Sequence, residues 1–403
     1  MYNILKIVLI KLVTLFYKLE SVDRMLGVCY RNVLLCGGPV CQKLGQVISC
    51  RSDMLPLEVC NILSELTYDL SSSVVLDESY YEEVLCSGGF RSNCVRIGSG
   101  AISVVYRTRV GDVDVVLKVK RRDIVYEIER SFKLVSVLLL LVCVCSNNVG
   151  VCNELYLKLS KLKGMLLKQT DFGSELSELT YFYNKYKGSD VLMIPKPYKC
   201  YSSDDIICMS YIDGVSVSSV LCDLSACARD RICKMLWRFS FESSFVSGRY
   251  HCDLHLGNIM LCDNGGVLGD LDGDMRLCIL DYGLVGKVSG FSKSVLFNYN
   301  AHIFKKEWHL AARLFVKKMC VLCVEVDTTV FIGEVEEILK DCLCSEPPRL
   351  CESIYRLERC SKKNKSEFNN NYCEFELGFS TLLSSLYSLN SFNIFEFNKN
   401  LNW

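Results

Sequence analysis

Apolar and polar positions along this chain change from a helical pattern to a strand pattern and back again. Residues up to about 90 have a helical pattern, and so do those from about 214 to 340. Between them, Ile97–Tyr106 consists of two short apolar runs around a turn of small residues, and Val115–Val119 is a third run. The pattern therefore predicts an α+β fold with a small sheet between helical sections.

Two further segments belong to the region of the predicted sheet. Leu134–Val142 is a continuous apolar run that is too short to span a bilayer, and we expect a buried helix there. After a predicted hinge at Ile194–Pro197, Asp205–Tyr211 has the pattern of another strand.

Candidate chemistry lies in the second helical section. The segment Tyr250–Asn258 places Asp253 five residues before Asn258, and Asp281 follows downstream in an Asp-aromatic-Gly sequence. In a kinase-type site, such an Asp positions a hydroxyl group or a water, while the Asn and the second Asp hold Mg²⁺ on ATP. ATP chemistry is therefore the leading hypothesis.

The phosphate-facing half of such a site can be found upstream. Gly98-Ser99-Gly100-Ala101 forms the small-residue turn, and Lys118 follows on the next strand. In a kinase-like lobe the turn lets backbone N–H groups approach the phosphates, and the strand lysine contacts the α- and β-phosphates. The turn alone would favour a plain hairpin, but the elements together, in this order, favour a nucleotide site.

These motifs resemble the UbiB-type atypical kinase family, the activity-of-bc1-complex kinases, which support the biosynthesis of ubiquinone and related isoprenoid lipids. Residues 36–46, ending in Lys43-Leu44-Gly45-Gln46, are similar to that family's Lys-x-Gly-Gln element. Residues 251–258 are similar to its His-Ala-Asp-Pro-His-Pro-Gly-Asn loop, and 57 residues separate Lys118 from Glu175, where the family inserts helices. The likeness runs from about residue 30 to about residue 320.

The resemblance implies a two-lobed protein-kinase-like fold with an N-terminal helical extension, and it implies a role for each matching residue. Lys118 and Glu175 would form the nucleotide-binding pair, Asp253 would orient the acceptor, and Asn258 and Asp281 would hold Mg²⁺. The remaining nucleotide contacts would come from Gly98, Ser99, Gly100, Ala101, Met209 and Tyr211, with the adenine edge bonded to backbone around residues 210–212. The residues implied in covering the active site are Lys43, Gly45, Gln46, Gln169 and Asp171.

The chain departs from the family pattern at three places. Its nucleotide turn is glycine-rich where the family's is alanine-rich, which loosens the substrate inference. Gln169 stands where the family has the Glu of a Glu-x-Asp element thought to face the lysine of Lys-x-Gly-Gln. Because Gln cannot form an ion pair, we expect the N-terminal element to dock less firmly. Leu254 and Leu256 replace two prolines, which should reduce loop rigidity but remove no catalytic group.

The predicted organisation has five parts. They are a hydrophobic N-terminal segment at 1–25, a helical extension at 26–90, an N-lobe with a helical insertion at 91–213, a C-lobe at 214–340, and a loosely attached helical, Asn-rich tail at 341–403. The acidic stretch between Asn258 and Asp281 is interpreted as a solvated hairpin turn, because its spacing falls short of an EF-hand loop.

Composition narrows the partners. The 403 residues contain 46 Lys and Arg against 46 Asp and Glu, so no net field attracts nucleic acid. The 25 cysteines are scattered along predicted core elements without a compact spacing, which favours reduced, apolar side chains over disulfides or zinc ligands. The apolar, lysine-containing N-terminus is consistent with an organelle-targeting or membrane-surface helix, or with a helix packed on the fold.

The resemblance implies an ATP-dependent phosphotransferase or ATPase that acts in isoprenoid-quinone metabolism at a membrane, most simply the mitochondrial inner membrane, with a plastid as the alternative. A protein Ser/Thr kinase is disfavoured, because no Ala-Pro-Glu follows Asp281-Tyr282-Gly283. A pseudokinase scaffold that binds nucleotide without turnover is the third hypothesis. Its best support is Gln169, and the joint presence of the five kinase-type residues opposes it.

Overall fold

The computed structural model describes residues 20–49, 55–67, 77–90, 94–146, 149–263, 275–288, 290–322, 326–345 and 349–389. The first 19 residues of the predicted N-terminal segment and the acidic stretch 264–274 lie outside these ranges. The chain divides into two compact units. The N-unit contains the chain up to Lys187 together with 194–213 and 281–283, and the C-unit contains 188–193, 214–280 and everything from residue 284 onward.

Helices precede the strands of the N-unit and interrupt them before the last strand. In chain order its elements are α1 (Glu20–Cys36), α2 (Pro39–Ser49), α3 (Leu57–Ser64), a 3₁₀ turn (Glu65–Thr67), α4 (Glu78–Ser87), β1 (Val95–Ser99), β2 (Ser103–Val110), β3 (Val113–Lys120), α5 (Ile124–Ser146), α6 (Val149–Gln169), α7 (Phe172–Tyr186), a 3₁₀ turn (Lys199–Tyr201) and β5 (Ile206–Ser210).

The sheet of the N-unit is antiparallel, with strand order β1-β2-β3-β5. Successive side chains of a strand point to opposite faces, and the buried face here carries residues such as Val104, Val115 and Leu117. Helix α4 covers this face with Tyr81 and Leu85, which join the same apolar core. The strand that carries Lys118 and the turn that carries the glycines therefore belong to a sheet that packs one face against this apolar core.

The N-terminal extension has a core of its own. Helices α1 and α3 and the following turn bury Leu26, Val59, Leu63 and Leu66 against one another. Helix α2, which contains the Lys-x-Gly-Gln element, packs against α3, α5 and α6. Its position is tied to α5 by a hydrogen bond in which the Ser131 hydroxyl donates to the Gly37 carbonyl at 2.6 Å.

The insertion between Lys118 and Glu175 consists of α5 and α6, which pack side by side. Leu134–Val142 is helical as predicted, but the expectation that it is buried was wrong. Val137 and Leu140 are 55% and 62% exposed. Helices α2 and α6 cover only part of α5, so an apolar run that lacks a polar face leaves some side chains in solvent.

The C-unit is mainly helical with short strand pairs. Its elements are β4 (Leu192–Met193), β6 (Val215–Ser216), α8 (Val217–Val220), α9 (Ala226–Phe241), a π turn (Glu242–Val246), β7 (Arg249–His251), a 3₁₀ turn (Leu256–Asn258), β8 (Ile259–Asp263), β9 (Met275–Ile279), β10 (Val285–Lys287), α10 (Gly290–Phe304), α11 (Trp308–Leu314), a π turn (Phe315–Met319), β11 (Cys320–Leu322), α12 (Thr328–Leu343), α13 (Leu350–Lys363), β12 (Ser366–Phe368) and α14 (Asn370–Leu389).

Short strands frame the loop that contains Asp253. One sheet has the order β4-β9-β8-β6, and β7 pairs antiparallel with β10. The antiparallel pair of β8 and β9 runs from Ile259 opposite Ile279 to Asp263 opposite Met275. The loop that follows β7 thus begins and ends on paired strands.

Within the predicted C-terminal tail, helices α13 and α14 are packed against the rest of the C-unit, so the expectation of loose attachment was wrong for these helices, while residues 390–403 lie outside the described ranges. Helix α14 buries Leu382, Leu383, Leu386 and Leu389, and it packs against α9, α13 and β7. The error has a physical cause: the many polar residues of this segment suggested a solvated cap, whereas its apolar residues lie together on one face of the helix.

Two observations concern the whole of the described chain. No helix in the ranges given above is long and apolar enough to cross a membrane. The cysteines whose surroundings are described are free thiols, and several of them, including Cys208, Cys233 and Cys278, are buried among core side chains.

Candidate active site

A lysine and two carboxylates meet in the N-unit. Lys118 Nζ on β3 donates a hydrogen bond to Glu175 Oε1 on α7 at 2.6 Å, and it lies 3.1 Å from Asp281 Oδ1. The side chains of Lys118 and Glu175 are 10% and 3% exposed, whereas that of Asp281 is 34% exposed. The cluster is therefore a buried ion pair with one carboxylate that solvent or a ligand can reach.

Two pKa values in this cluster are raised, that of Glu175 mainly by burial and that of Lys118 by the neighbouring carboxylates. Burial raises the pKa of Glu175, as does the nearby charge of Asp281, and the ammonium of Lys118 only partly opposes them, so that the pKa is about 7 instead of 4.5. Burial alone would lower the pKa of Lys118, but Asp281 and Glu175 outweigh it and raise that pKa above its ordinary value. One cation faces two acids, so the excess negative charge favours proton retention by both residues.

Helix α7 fixes the position of Glu175. Asp171 caps the helix, because its Oδ1 accepts a hydrogen bond from the Ser174 N–H at 2.9 Å. Glu175 lies in the first turn, where the partial positive charge of the helix N-terminus favours a carboxylate. Sequence reasoning placed Asp171 among the residues that cover the site; the structure shows it as the cap that sets the start of this helix.

Asp281 has a strained backbone. Its φ is +49°, a left-handed conformation that non-glycine residues seldom adopt and that clusters at functional sites. Its Oδ1 accepts a hydrogen bond from the Gly283 N–H at 3.0 Å, and Tyr282 between them packs against Phe182 with ring centroids 4.9 Å apart. A Cβ at Gly283 would lie 3.0 Å from Glu175 Oε2, so glycine is needed for this close approach.

The predicted glycine turn joins β1 to β2. It is closed by the Gly100 N–H, which donates to the Ser103 carbonyl at 2.8 Å. Cβ atoms at Gly98 and Gly100 would have no protein atom closer than 3.8 Å, so packing inside the N-unit does not require either glycine. Ser99 is buried, and its hydroxyl has no hydrogen-bond partner among the described residues. Ala101 continues the turn, and its carbonyl accepts a hydrogen bond from Arg121 at 3.0 Å.

Met209 and Tyr211 lie at the end of β5, where the adenine edge is expected. Met209 pairs with Val116 of β3, and the Tyr211 N–H donates to the Asp114 carbonyl at 3.1 Å. The guanidinium of Arg107 covers the Tyr211 ring at 3.8 Å from its centroid. Since the Tyr211 N–H already has an acceptor within the unit, a purine would have to meet carbonyl groups or a different N–H here.

Asp253 and Asn258 lie close together in the C-unit. The Asn258 Nδ2 donates to the Asp253 carbonyl at 2.9 Å, which closes the loop between them. The Asp253 N–H donates to His251 Nδ1 at 3.2 Å, so His251 carries its proton on Nε2, which donates to the Leu280 carbonyl at 3.3 Å. The Leu280 N–H in turn donates to the Asn258 carbonyl at 2.8 Å, one residue before Asp281 in the chain.

The two leucines that replace the family's prolines are both buried in this loop. Leu254 is 1% and Leu256 is 2% exposed. Burying such side chains stabilises a conformation by about 1.5–3 kcal/mol each. Packing therefore restrains the loop at the two positions where a proline ring would otherwise fix the backbone.

The residues of the Lys-x-Gly-Gln element lie on α2. Lys43 is buried, and a Cβ at Gly45 would run into the side chains of Leu66 and Leu34. The Gln46 Nε2 donates to the Leu66 carbonyl at 2.7 Å, which ties α2 to the end of α3. Gln169 is the last residue of α6, the helix on which α2 packs.

The structure thus groups the predicted site residues into two sets. Lys118, Glu175 and Asp281 meet in the N-unit, and Asp253 and Asn258 meet in the C-unit. Sequence reasoning assigned no role to His251, although it stands in the same motif, and its ring links Asp253 to the segment before Asp281. The imidazole beside a catalytic-loop Asp was the signal that could have found it.

The family model of the ABC1 atypical kinase-like domain matches residues 92–315. The chain belongs to this family. The prediction of a UbiB-type atypical kinase is confirmed, and so is the kinase-like α+β fold. The match begins after the Lys-x-Gly-Gln element, so the role of that element stays a prediction.

Two similar proteins illustrate the family and the fold. The chain is 28% identical over 269 residues to Protein ACTIVITY OF BC1 COMPLEX KINASE 8, chloroplastic, from Arabidopsis thaliana, a stretch that covers 62% of this chain and 33% of the relative. The chain thus spans only about a third of that relative's length. It is also similar in fold to Rv3197 of Mycobacterium tuberculosis, solved in complex with erythromycin, with a TM-score of 0.53, 17% identity and coverage of 89% of this chain and 90% of that one.

Proposed function

We propose that this protein is an ATP-dependent atypical kinase or ATPase that uses Mg²⁺. The observation that carries the proposal is the buried Lys118–Glu175 pair with Asp281 beside it. Replacing buried ion pairs with apolar side chains is often neutral or stabilising, so a pair of this kind is weakly explained by stability alone. A kinase-type site explains the buried pair, because in such a site the lysine must hold phosphates in a fixed place.

Each unit by itself offers side chains of the kind that Mg²⁺-ATP needs. Asp281 offers a partly exposed carboxylate oxygen and Asn258 an amide oxygen, and Mg²⁺ prefers oxygen ligands while retaining waters. The turn at Gly98 and Gly100 leaves open the space that Cβ atoms would fill, and the buried hydroxyl of Ser99 there lacks a partner among the described residues. Such a turn suits the approach of phosphate oxygens to backbone N–H groups.

Each residue then has a distinct task. Lys118 would neutralise phosphate charge and Glu175 would keep the lysine in place. Asp281 and, as the family resemblance implies, Asn258 would hold Mg²⁺, which would supply positive charge to balance that of the phosphates. Asp253 accepts a hydrogen bond from the attacking hydroxyl or water and so orients it. His251 holds the backbone N–H of Asp253 through Nδ1, which keeps the direction of that carboxylate constant.

The substrate class is a finer part of the proposal. We assign the activity to the metabolism of isoprenoid quinones or related lipids at an organelle membrane, as the family likeness implies. On the family resemblance alone, the mitochondrion is the first choice of organelle and the plastid is the alternative. The Arabidopsis relative is named as a chloroplastic protein, which supports the plastid. A peptide substrate is disfavoured, because the sequence after Gly283 lacks the Ala-Pro-Glu of ordinary protein kinases.

The test is ATP turnover by the purified chain in the presence of two kinds of vesicle. One kind contains phospholipid alone, and the other contains the same phospholipid with an isoprenoid quinone. We expect Mg²⁺-dependent hydrolysis that rises only with the second kind. Phosphate transfer to a panel of generic proteins would instead indicate a protein kinase.

A nucleotide-binding scaffold is the second candidate, and Gln169 is the feature that favours it. A neutral side chain there replaces the family's carboxylate, so a part of the site that others hold by charge is altered. Nucleotide binding without turnover under every condition above would favour the scaffold over the enzyme.

A further inference from the structure

Helix α14 contacts the backbone of the loop that carries Asp253. The Ser385 hydroxyl donates to the Leu254 carbonyl at 2.9 Å across 131 residues of chain, and both residues are buried. Two helical turns earlier, Gly378 lies so close to the loop that a Cβ there would be 2.9 Å from the Cα of Cys252 and 3.1 Å from the His251 carbonyl oxygen. The helix therefore contacts backbone on both sides of Asp253.

Aromatic side chains hold α14 in this position. Phe375 meets the ring of Tyr250 edge-on, with centroids 5.4 Å apart, and it stacks on Phe379 at 5.7 Å. Phe379 in turn packs on Trp237 of α9 at 6.0 Å. Such pairs contribute about 0.5–1.5 kcal/mol each beyond the area that they bury.

The space left between these side chains is small. The cavity that they line has a volume of about 20 Å³, which is room for roughly one water. It is too small for an organic ligand, so the aromatic cluster is a packed contact and not a binding pocket. Its consequence is that α14 cannot shift without disturbing Tyr250, which precedes His251 on β7.

The hydrogen bond of Ser385 acts at a decisive place. The Leu254 carbonyl lies just after Asp253 in the chain. Just before Asp253, the loop is fixed by the Cys252 N–H, which donates to the Leu284 carbonyl at 2.9 Å. Asp253 lies between these two anchors, and its own N–H and carbonyl are bonded within the loop to His251 Nδ1 and Asn258 Nδ2, so the bond from Ser385 extends this restraint to the next residue. A carboxylate that must orient an acceptor gains from such restraint, because small errors of placement reduce the rate steeply.

We propose that Ser385 and Gly378 are positioning residues for Asp253, and that α14, which lies beyond residues 92–315 matched by the family model, is a working part of the active site. This inference rests on the proposed function for its effect on turnover. Its structural content, a loop held in place by a distant helix, stands independently of that function. Both parts can therefore be tested separately.

The test compares two variants of α14 with two matched controls, one on α14 and one on α12 of the same unit. Ser385→Ala removes the hydrogen bond to the loop, whereas Ser388→Ala removes an exposed hydroxyl that donates only to the Ser384 carbonyl of its own helix. Gly378→Ala forces the helix and the loop apart, whereas Gly333→Ala on α12 adds a Cβ with no atom within 4 Å. The readouts are kcat and KM for ATP, and amide hydrogen exchange of residues 252–258.

For Ser385→Ala we expect kcat to fall about tenfold with KM for ATP unchanged, and exchange at the loop amides to rise about tenfold, since one buried hydrogen bond is lost. Gly378→Ala should likewise lower kcat and raise amide exchange in the loop, and neither control should change kcat or exchange. A uniform rise in exchange over the whole C-unit would mean that α14 only stabilises the fold, and unchanged exchange in the loop would refute the inference. If the wild type shows no turnover, the proposed function fails while the exchange measurement still decides the role of α14.

Discussion

Lys118 and Glu175 are 57 residues apart in the chain, yet their charged atoms lie 2.6 Å from each other in the interior of the N-unit. The whole hairpin of α5 and α6 is inserted between them without separating the pair. Removing two charges from water costs several kcal/mol per ion, and mutual attraction recovers that cost only with good geometry. Their partner Asp281, held in a left-handed conformation, supplies the third charge.

Lys118→Met should be severely destabilising above neutral pH. Without the ammonium of Lys118 the pKa of Glu175 rises further, so at pH 8 the variant must either bury a carboxylate beside Asp281 or hold a proton on it, and removing one partner of a buried pair costs about 3–5 kcal/mol. The free energy of unfolding in urea at pH 8 measures the loss. Nucleotide affinity should fall as well, because the phosphates lose their cation.

The control for this variant is Lys234→Met. Lys234 forms an exposed pair with Asp230 on α9, with side chains 55% and 40% exposed, and such pairs contribute about 0–1 kcal/mol. A similar loss of stability in both variants would show that the buried cluster has no special energetic weight.

Glu175→Gln should change how stability depends on pH. The pKa of Glu175 is raised from 4.5 to about 7, mainly by burial, so the folded state binds a proton that the unfolded state releases in this window. Its contribution to stability is therefore fully present below about 4.5 and is lost as pH rises through about 7. The slope for one group is at most about 1.4 kcal/mol per pH unit.

The quantity to measure is the free energy of unfolding of the wild type minus that of the Gln variant, at pH 5 and at pH 8. Groups common to both proteins cancel in this difference, which we expect to fall as pH rises. A difference that grows with pH would mean that the ion pair with Lys118 lowers the pKa of Glu175, contrary to the burial argument.

Gln169→Glu should stabilise the attachment of the N-terminal extension. Helix α2 contains the buried Lys43 and packs on α6, which ends at Gln169, so a carboxylate there can form a charge-assisted interaction. We expect the free energy of unfolding to increase by about 1 kcal/mol and nucleotide binding to become tighter. The gain should disappear in a Lys43→Met background, as a double-mutant cycle would show. Unchanged stability, affinity and turnover would end this explanation of the Gln.

Much of the N-unit could be predicted from local sequence pattern, because its strands and turns have characteristic sequences. The turn at Gly98 and Gly100, the strand that carries Lys118 and the strand that ends at Ser210 each follow from alternation bounded by turn residues. The pairing of Lys118 with Glu175 did not follow from pattern alone. It came from a family likeness, since contacts across 57 residues leave no local trace.

The contacts of α14 were beyond the reach of such reasoning. Ser385 and Gly378 lie in a segment rich in polar residues, and nothing in it marks a serine that donates to a carbonyl 131 residues earlier. The exposure of Val137 and Leu140 was missed for the opposite reason. An apolar run normally indicates burial, but here the neighbouring helices cover only one side of it.

The most direct test of the proposed Mg²⁺-ATP site is Mg²⁺-dependent ATP hydrolysis by the purified chain, compared with Asp281→Asn and with the exposed control Asp230→Asn. We expect Asp281→Asn to lower turnover by about a hundredfold or more, because the charge that holds the metal against the phosphates is lost. Asp230→Asn, altered on the surface of α9, should match the wild type. Equal turnover in the wild type and in Asp281→Asn would contradict the assignment of this carboxylate and the site built around it.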